Sequence, residues 1–442
     1  MTHALPVFFF RSLSVLVAAL CFVVPAFTLA AFGQGELPQS APESVGFSSE
    51  RLERLHTLIQ DEVDRKQLAG AITLLARHGK IVDFRTYGQR DMAANAPMTK
   101  DTIFRDYSMT KPVTGVAMMI LYEEGKWLPS DPIAKYVPAF AHLKVFRGVD
   151  KEGKMILVDP EHPPTMSELM THTAGFSYGH GTTVVDAMYR DLRPLESSSL
   201  QEMIDKLAKI PLNYQPGTAW TYSLSMDIEG YIVERLSDQS LPDFMRDHIF
   251  NVLGMKDAGF FVPEEKRIRF AANYRDDGDG KLVSVTTTSL GTTYLMRPTM
   301  PSGGAGMVST TEDYYRFAQM LANGGELNGK RVLAPATVKL MTSNHLPENL
   351  LTGVFGVGQH IMRPGFGYGF NCVVVFDPRA AILPDGKGTF FWDGAAATWF
   401  WVDPTNDIVF VGMTQRMTSP DNHALYYRSH ATVYQALVDP AK

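Results

Sequence analysis

The chain has 442 residues, with 41 Lys+Arg against 47 Asp+Glu for a formal net charge of −6, and 45% of its residues are hydrophobic. Such a composition is that of a globular protein long enough to bury a large core, and it excludes disordered, collagen-like and coiled-coil chains. A mildly acidic chain without a basic run offers no electrostatic footprint for nucleic acid.

At the N-terminus, Arg11 precedes an uncharged run, 12–35, rich in Leu, Val, Ala and Phe, with small residues at Thr28-Leu29-Ala30-Ala31. A positive start, an apolar stretch and a small-residue end make the pattern of a secretory signal. We expect residues 1–30 to be a cleaved leader and 31–43 a linker. The mature protein would then be exported, periplasmic or secreted, with no stable membrane insertion. An uncleaved anchor is the alternative, disfavoured by Pro25 within the run. Cys21 follows the large Leu20, which does not suit a lipoprotein cleavage site. Cleavage leaves Cys372 alone, so no internal disulfide forms, and its apolar surroundings, 370–375, read as a buried strand.

After a Pro/Gly/Ser-rich spacer, 34–48, Ser49 reads as the N-cap of a helix with apolar residues at helical spacing over 51–59. Segments 71–76 and 81–84 read as strands joined by a turn at His78-Gly79-Lys80. From Ser108 to about Gly254 the pattern is mainly helical, with loops around 160–164 and 175–183. Strands return at 373–376, 388–392, 398–402 and 408–412, and a helix over 423–438 closes the chain. Helices segregated from hairpins indicate an α+β protein with an antiparallel sheet.

The most informative segment is Tyr107-Ser108-Met109-Thr110-Lys111-Pro112, which opens an apolar helical run. Ser108 and Lys111, three apart, share a helix face. At a helix N-terminus, free N–H groups favour a developing oxyanion. A serine needs an adjacent base to become a nucleophile, and Lys111 is placed to be one. Taken alone, this pattern is weak and reads sooner as a capping serine beside a solvated lysine.

Other segments change that balance: Leu169-Met170-Thr171-His172-Thr173-Ala174-Gly175-Phe176, Trp220-Thr221-Tyr222-Ser223-Leu224, Gly303-Gly304-Ala305-Gly306 and Trp392-Asp393-Gly394-Ala395. With them the chain resembles the serine β-lactamase and penicillin-binding-protein superfamily over roughly residues 44–437. Within it, the chain is most similar to class C β-lactamases and family VIII carboxylesterases. The resemblance implies a β-lactamase-like domain over 44–442, its α/β part about 44–105 and 290–442 and its helical part about 106–289. It makes Ser108 the acylated nucleophile of a Ser-x-x-Lys motif, with Lys111 as its proton-handling partner. Tyr222 becomes the general base, as phenolate or through Lys111. The backbone N–H groups of Ser108 and Ala395 become the oxyanion hole. Trp392, Asp393, Gly394, Leu224, Tyr107 and Phe176 become residues that bind or shape the substrate. No metal or cofactor is implied.

Two departures from the family pattern bear on substrate. Leu224 stands where the second motif usually has an asparagine, and Trp392 where the third motif of β-lactamases begins with a lysine. A leucine offers no hydrogen bond, and a Trp–Asp pair does not attract an anion. β-Lactams and peptidoglycan stem peptides carry a carboxylate, whereas neutral esters do not. The expected reaction is therefore hydrolysis of a small-molecule carboxylic ester through an acyl-enzyme on Ser108. The alternatives are a β-lactamase or D-alanyl-D-alanine carboxypeptidase, an acyltransferase using the same residues, and a catalytically silent wall-binding homologue.

Gly175-Phe176-Ser177-Tyr178-Gly179 matches a Gly-x-Ser-x-Gly nucleophile elbow, with His172 and His180 nearby. An elbow needs a strand before the serine and a helix after it, and here the order reads helix then loop. Asp276-Asp277-Gly278-Asp279-Gly280 has the start of a calcium loop without its closing glutamate, and reads as a polar hairpin turn.

Overall fold

An eight-stranded sheet organises the molecule, its strands drawn from both ends of the chain. In chain order they are β1 (Gly70–Arg77), β2 (Lys80–Asp91), β3 (Ala96–Pro97), β4 (Phe366–Tyr368), β5 (Val373–Val375), β6 (Thr389–Asp393), β7 (Trp399–Asp403) and β8 (Ile408–Thr414). Their spatial order is β4-β5-β6-β7-β8-β1-β2-β3, every neighbour antiparallel. The computed structural model describes residues 1–4, 37–285, 294–351, 363–417 and 421–441. The expected leader lies outside the described residues apart from its first four. Residues 37–442 form one compact unit. Among the described residues, no helix is long and apolar enough to cross a membrane.

The first hairpin turns at His78 (φ +54°) and Gly79 (φ +69°), the paired left-handed residues that match the twist of two-residue hairpins. Every residue of β1 is buried, as a strand covered on both faces must be. One face is covered by α1 (Ser49–Asp64) and the closing helix Asp421–Tyr434. There, Trp401 stacks on Phe410 and meets His430 at 3.8 Å, and Trp399 Nε1 donates to Ser429 Oγ at 3.1 Å. Phe400, between the two tryptophans, points the other way and packs on Tyr314 of helix Thr311–Ala322, centroids 5.0 Å apart. This alternation follows from the two-residue period of a strand. It also removes Trp399 and Trp401 from any site on the opposite face.

The N-cap of α1 is Ser48 rather than Ser49: its hydroxyl accepts from Arg51 N–H at 3.2 Å. Beside α1, the buried guanidinium of Arg77 donates to the carbonyls of Val45, Asn406, Asp439 and Pro440. One side chain thus ties together both termini of the unit and the β7–β8 turn.

The inserted part is mainly helical, built on α2 (Thr110–Glu123) and α3 (Ser225–Ser237). Residues Thr110 to Leu121 are all buried, so α2 is a core helix. The part also holds a hairpin, Val145–Val149 with Met155–Val158, that the sequence pattern did not suggest. A short strand, Ile103–Arg105, pairs with Val308–Thr310. That pairing sets the 302–307 turn beside the start of α2, where the site lies.

Candidate active site

The chain leaves strand Ile103–Arg105 through Asp106 and enters a 3₁₀ turn, Tyr107–Met109, that runs directly into α2. Tyr107 takes φ +48°, a conformation that strains a side-chain-bearing residue and recurs at functional turns. Its hydroxyl accepts from Asn273 Nδ2 at 2.8 Å and its ring meets Tyr294 edge-on. Asp106 is wholly buried; its carboxylate accepts from Ser309 Oγ at 2.7 Å, and burial pushes its carboxyl up to about 8. After Ser108, the Met109 carbonyl accepts from Tyr314 Oη at 2.9 Å, so the turn is fixed on both sides of the serine.

Ser108 Oγ is met from two directions. Lys111 Nζ donates to it at 3.0 Å and Tyr222 Oη at 2.7 Å. Lys111 also donates to Gly304 O at 2.7 Å. Its side chain is completely buried, and burial lowers its amine to about 7, although Asp227, Asp393 and Glu229 pull the other way. Tyr222 moves oppositely: burial raises its phenol, with the Ser108 hydrogen bond opposing. Desolvation disfavours the charged form in both cases, which is why a lysine falls and a tyrosine rises. At neutral pH the pair is therefore a partly neutral amine and a protonated phenol.

Aromatic packing fixes the Tyr222 ring. Its centroid lies 5.1 Å from His172, 5.2 Å from Tyr178 and 5.6 Å from Trp392. His172 holds φ +60°, and its Nδ1 shares a hydrogen bond with Ser223 Oγ at 2.9 Å. Burial drives its imidazole well below the usual range, so it is neutral. The His172 carbonyl accepts from Thr221 N–H at 3.0 Å, which anchors the segment carrying Tyr222.

The third motif ends β6. Trp392 is buried behind Tyr222, its indole also edge-on to Tyr368. Thr398 Oγ1 donates to the Asp106 carbonyl at 3.1 Å. A Cβ on Gly394 would lie 2.4 Å from that same carbonyl, so only glycine lets this edge reach the turn carrying Ser108. Ala395 follows, exposed to the cavity.

The cavity above Ser108 has a volume of about 400 Å³. Tyr107, Ser108, Tyr222, Leu224 and Ala395 line it, whereas Trp392, Asp393 and Gly394, expected to contact substrate, do not. Phe176 is not brought to it: its ring is buried against Phe140, centroids 5.5 Å apart. Several lining residues were not singled out from sequence: Asp227, Ser302, Tyr189, Arg190, Arg193 and Glu196. An aspartate in the first turn of a helix, as Asp227 is in α3, reads from sequence as a dipole-matching residue only.

The competing motifs resolve into structure. Ser177 is buried; its hydroxyl donates to Asp186 at 2.8 Å and accepts from Gly179 N–H at 2.9 Å. Helix Met166–Met170, with a capping box from Thr165 and Glu168, precedes it, so the strand of an elbow is missing. The Asp276–Gly280 segment is the turn of hairpin Tyr274–Asp276 and Leu282–Ser284. Its carboxylates accept from backbone N–H groups within the turn. Among the described residues, no group of His, Cys, Asp and Glu could hold a metal. Cys372 is buried, and burial pushes its thiol up to about 12.

Residues 55–434 match the Beta-lactamase family over nearly the whole compact unit. The chain belongs to that family. It is 34% identical to Protein Rv1367c of Mycobacterium tuberculosis over 370 residues, 81% of this chain and 88% of that one. It is 30% identical to Esterase EstB of Burkholderia gladioli over 411 residues, 85% of this chain and 95% of that one. Among solved structures it superposes on EstCE1, a hydrolase with promiscuous acyltransferase activity, with TM-score 0.72 and 25% identity over 87% of this chain and 99% of that one. The expected β-lactamase-like α+β fold is the fold observed.

Proposed function

We propose that this hydrolase of the Beta-lactamase family cleaves carboxylic esters through an acyl-enzyme on Ser108. The observation that carries the reading is the position of Ser108 Oγ, within hydrogen-bond reach of both Lys111 Nζ and Tyr222 Oη at the base of one cavity. Similarity to Esterase EstB and to EstCE1 supports it.

In this mechanism neutral Lys111 takes the Ser108 proton, directly or through the Tyr222 phenol, as Oγ attacks the ester carbonyl. The N–H groups of Ser108 and Ala395 receive the oxyanion, a contribution on the order of 10²–10³ per donor. The alcohol leaves with the proton held by the Lys111–Tyr222 pair. Water then attacks the acyl-enzyme by the same proton path and releases the acid. The buried Trp392 and Leu224 supply no charge for a substrate carboxylate beside Ser108, which favours neutral esters.

Comparing wild type, Ser108→Ala and Ser177→Ala on p-nitrophenyl butyrate tests the assignment. Loss of turnover in Ser108→Ala alone is expected, and turnover that survives that substitution sinks it. One observation favours a second reading, an anionic substrate such as a β-lactam: Arg190 and Arg193 line the outer cavity wall. Arg190 is committed to the Gly179 and Gly181 carbonyls and Arg193 faces Glu196, which weakens that reading. Faster cleavage of a chromogenic cephalosporin than of the butyrate ester would establish it.

A further inference from the structure

Asp227 lines the same cavity as Ser108 and Tyr222, yet its side chain is completely buried. Its Oδ1 accepts from Ser302 Oγ at 2.5 Å and from Gly304 N–H at 3.2 Å. The carbonyl of the same Gly304 accepts from Lys111 Nζ at 2.7 Å, and Lys111 in turn donates to Ser108. Asp227 therefore grips the turn that grips the lysine. Its Oδ2 is buried and has no hydrogen-bond partner among the described residues. A carboxylate in that position needs a counter-charge or a donor, because burial penalises an unpaired charge heavily. Burial raises the Asp227 carboxyl above its ordinary value, while the Ser302 hydrogen bond and the Lys111 charge pull it back, and of the charges acting on Lys111 that of Asp227 is the largest.

Gly304 makes the approach possible. A Cβ there would lie 2.7 Å from Asp227 Oδ2 and 3.1 Å from the Tyr178 hydroxyl.

We propose that Asp227 is a positioning residue for Lys111: it fixes the 302–304 turn that orients the amine, and its negative charge sets how readily the amine gives up its proton. This rests on Lys111 acting as the base for Ser108. The other groups acting on the amine are Glu229 of α3, Asp393 at the end of β6, and His172. The Tyr178 and Tyr222 rings also face it, their centroids 5.5 and 4.8 Å from Nζ. Glu229, pushed up to about 8 by burial and bonded to Asn371 Nδ2 at 2.6 Å, is largely protonated at neutral pH. His172 is neutral, and of the charges opposing burial at the amine that of Asp227 is the largest.

The experiment is the pH profile of kcat/KM for p-nitrophenyl butyrate with wild type, Asp227→Asn, Glu229→Gln and Ser302→Ala, using Ser108→Ala as the blank. Asparagine keeps the acceptor for Ser302 and Gly304 but removes the charge. Its acid limb is expected to move to lower pH by about half a unit or more, because losing a nearby anion lowers the pKa of a lysine. Glu229→Gln should leave the limb in place. Ser302→Ala keeps the charge and loosens the turn, so it should lower kcat several-fold without moving the limb. An Asp227→Asn limb that coincides with wild type or moves upward overturns the proposal, as does an equal shift in Glu229→Gln. Should Asp227→Asn not fold by circular dichroism, an unchanged kcat in Ser302→Ala overturns the positioning claim by itself. If Ser108→Ala matches wild type, the esterase reading has failed; Ser108-dependent turnover with an unmoved limb fails only the Asp227 inference.

Discussion

The Trp392 indole lies against the Tyr222 ring, centroids 5.6 Å apart, so an aromatic wall backs the tyrosine that touches Ser108. The Trp392 N–H is buried beside that ring without closing a well-formed hydrogen bond. Its contribution is shape, a dry surround and an N–H near enough to the Tyr222 phenol to oppose the effect of burial on it. Truncation to alanine should cost about 3–5 kcal/mol of stability, the range for large-to-small core changes of an aromatic. Trp392→Phe should retain most of the stability and measurable turnover. Thermal melts and steady-state kinetics of both variants check this, and equal melting temperatures for wild type and Trp392→Ala would count against it.

The pH dependence follows from Lys111. Its amine, lowered to about 7, must be neutral to take the Ser108 proton. As pH falls through that value the amine is protonated and kcat/KM should drop tenfold per unit. On the alkaline side Tyr222 is raised well above its ordinary value, so no loss is expected near pH 10 from its ionisation. A profile of kcat/KM on a chromogenic ester reads both limbs. A plateau extending down to pH 5 contradicts the neutral-amine mechanism.

Gly394→Ala probes the contact between the third motif and the nucleophile turn. The new Cβ would stand 2.2 Å from Thr398 Oγ1 and 2.4 Å from Asp106 O, so one strand end must move. Displacing the neighbouring Ala395 N–H should lower kcat by roughly 10²–10³, the usual effect of losing one oxyanion donor. KM should change far less. Wild-type kcat in this variant would remove Ala395 from the proposed mechanism.

Ser177→Ala should separate stability from chemistry. The hydroxyl bridges Asp186 and Gly179, and losing such a buried hydrogen-bonding group costs about 1–3 kcal/mol. Turnover per folded molecule should stay within about twofold of wild type, since this buried hydroxyl bonds Asp186 and Gly179 rather than Ser108, Lys111 or Tyr222. Denaturant melts paired with active-site titration distinguish the two effects.

Cys372 should be silent toward thiol reagents in the native state, because its buried thiol is pushed up to about 12 and holds almost no thiolate at neutral pH. It should react once the protein is unfolded in denaturant. Mass spectrometry before and after unfolding reads the outcome.

Much of the fold was legible because strand and helix periods are local. The runs at 71–76, 398–402 and 408–412 alternate or saturate with apolar residues as covered strands do, and the observed strands fall within a residue or two of them. The cap of α1 slipped by one because Ser48 and Ser49 are both good caps, and only the backbone geometry chooses between them. The hairpin at 145–158 was hidden by a register shift between Phe146 and Gly148, which breaks the alternation, and by exposed Ile156 and Leu157. At the site, Ser108, Lys111 and Tyr222 carry recognisable spacing. Asp227 does not, since its importance depends on Ser302, 75 residues downstream. Phe176 shows the converse: adjacency to a motif on paper says little about which way a ring points.

The pairing of β1 with β8 sets Ala71 opposite Thr414 and Arg77 opposite Ile408. A ribosome must therefore release almost the entire polypeptide before the middle of the sheet can close. Until then the apolar residues of β1 are paired on the β2 side alone, and the turn bearing Ser108 lacks the β6–β7 edge against which it rests. Such long-range closure is slow and leaves sticky intermediates exposed. A chain shortened by its last few dozen residues would thus be expected to aggregate rather than to survive as a weakened enzyme.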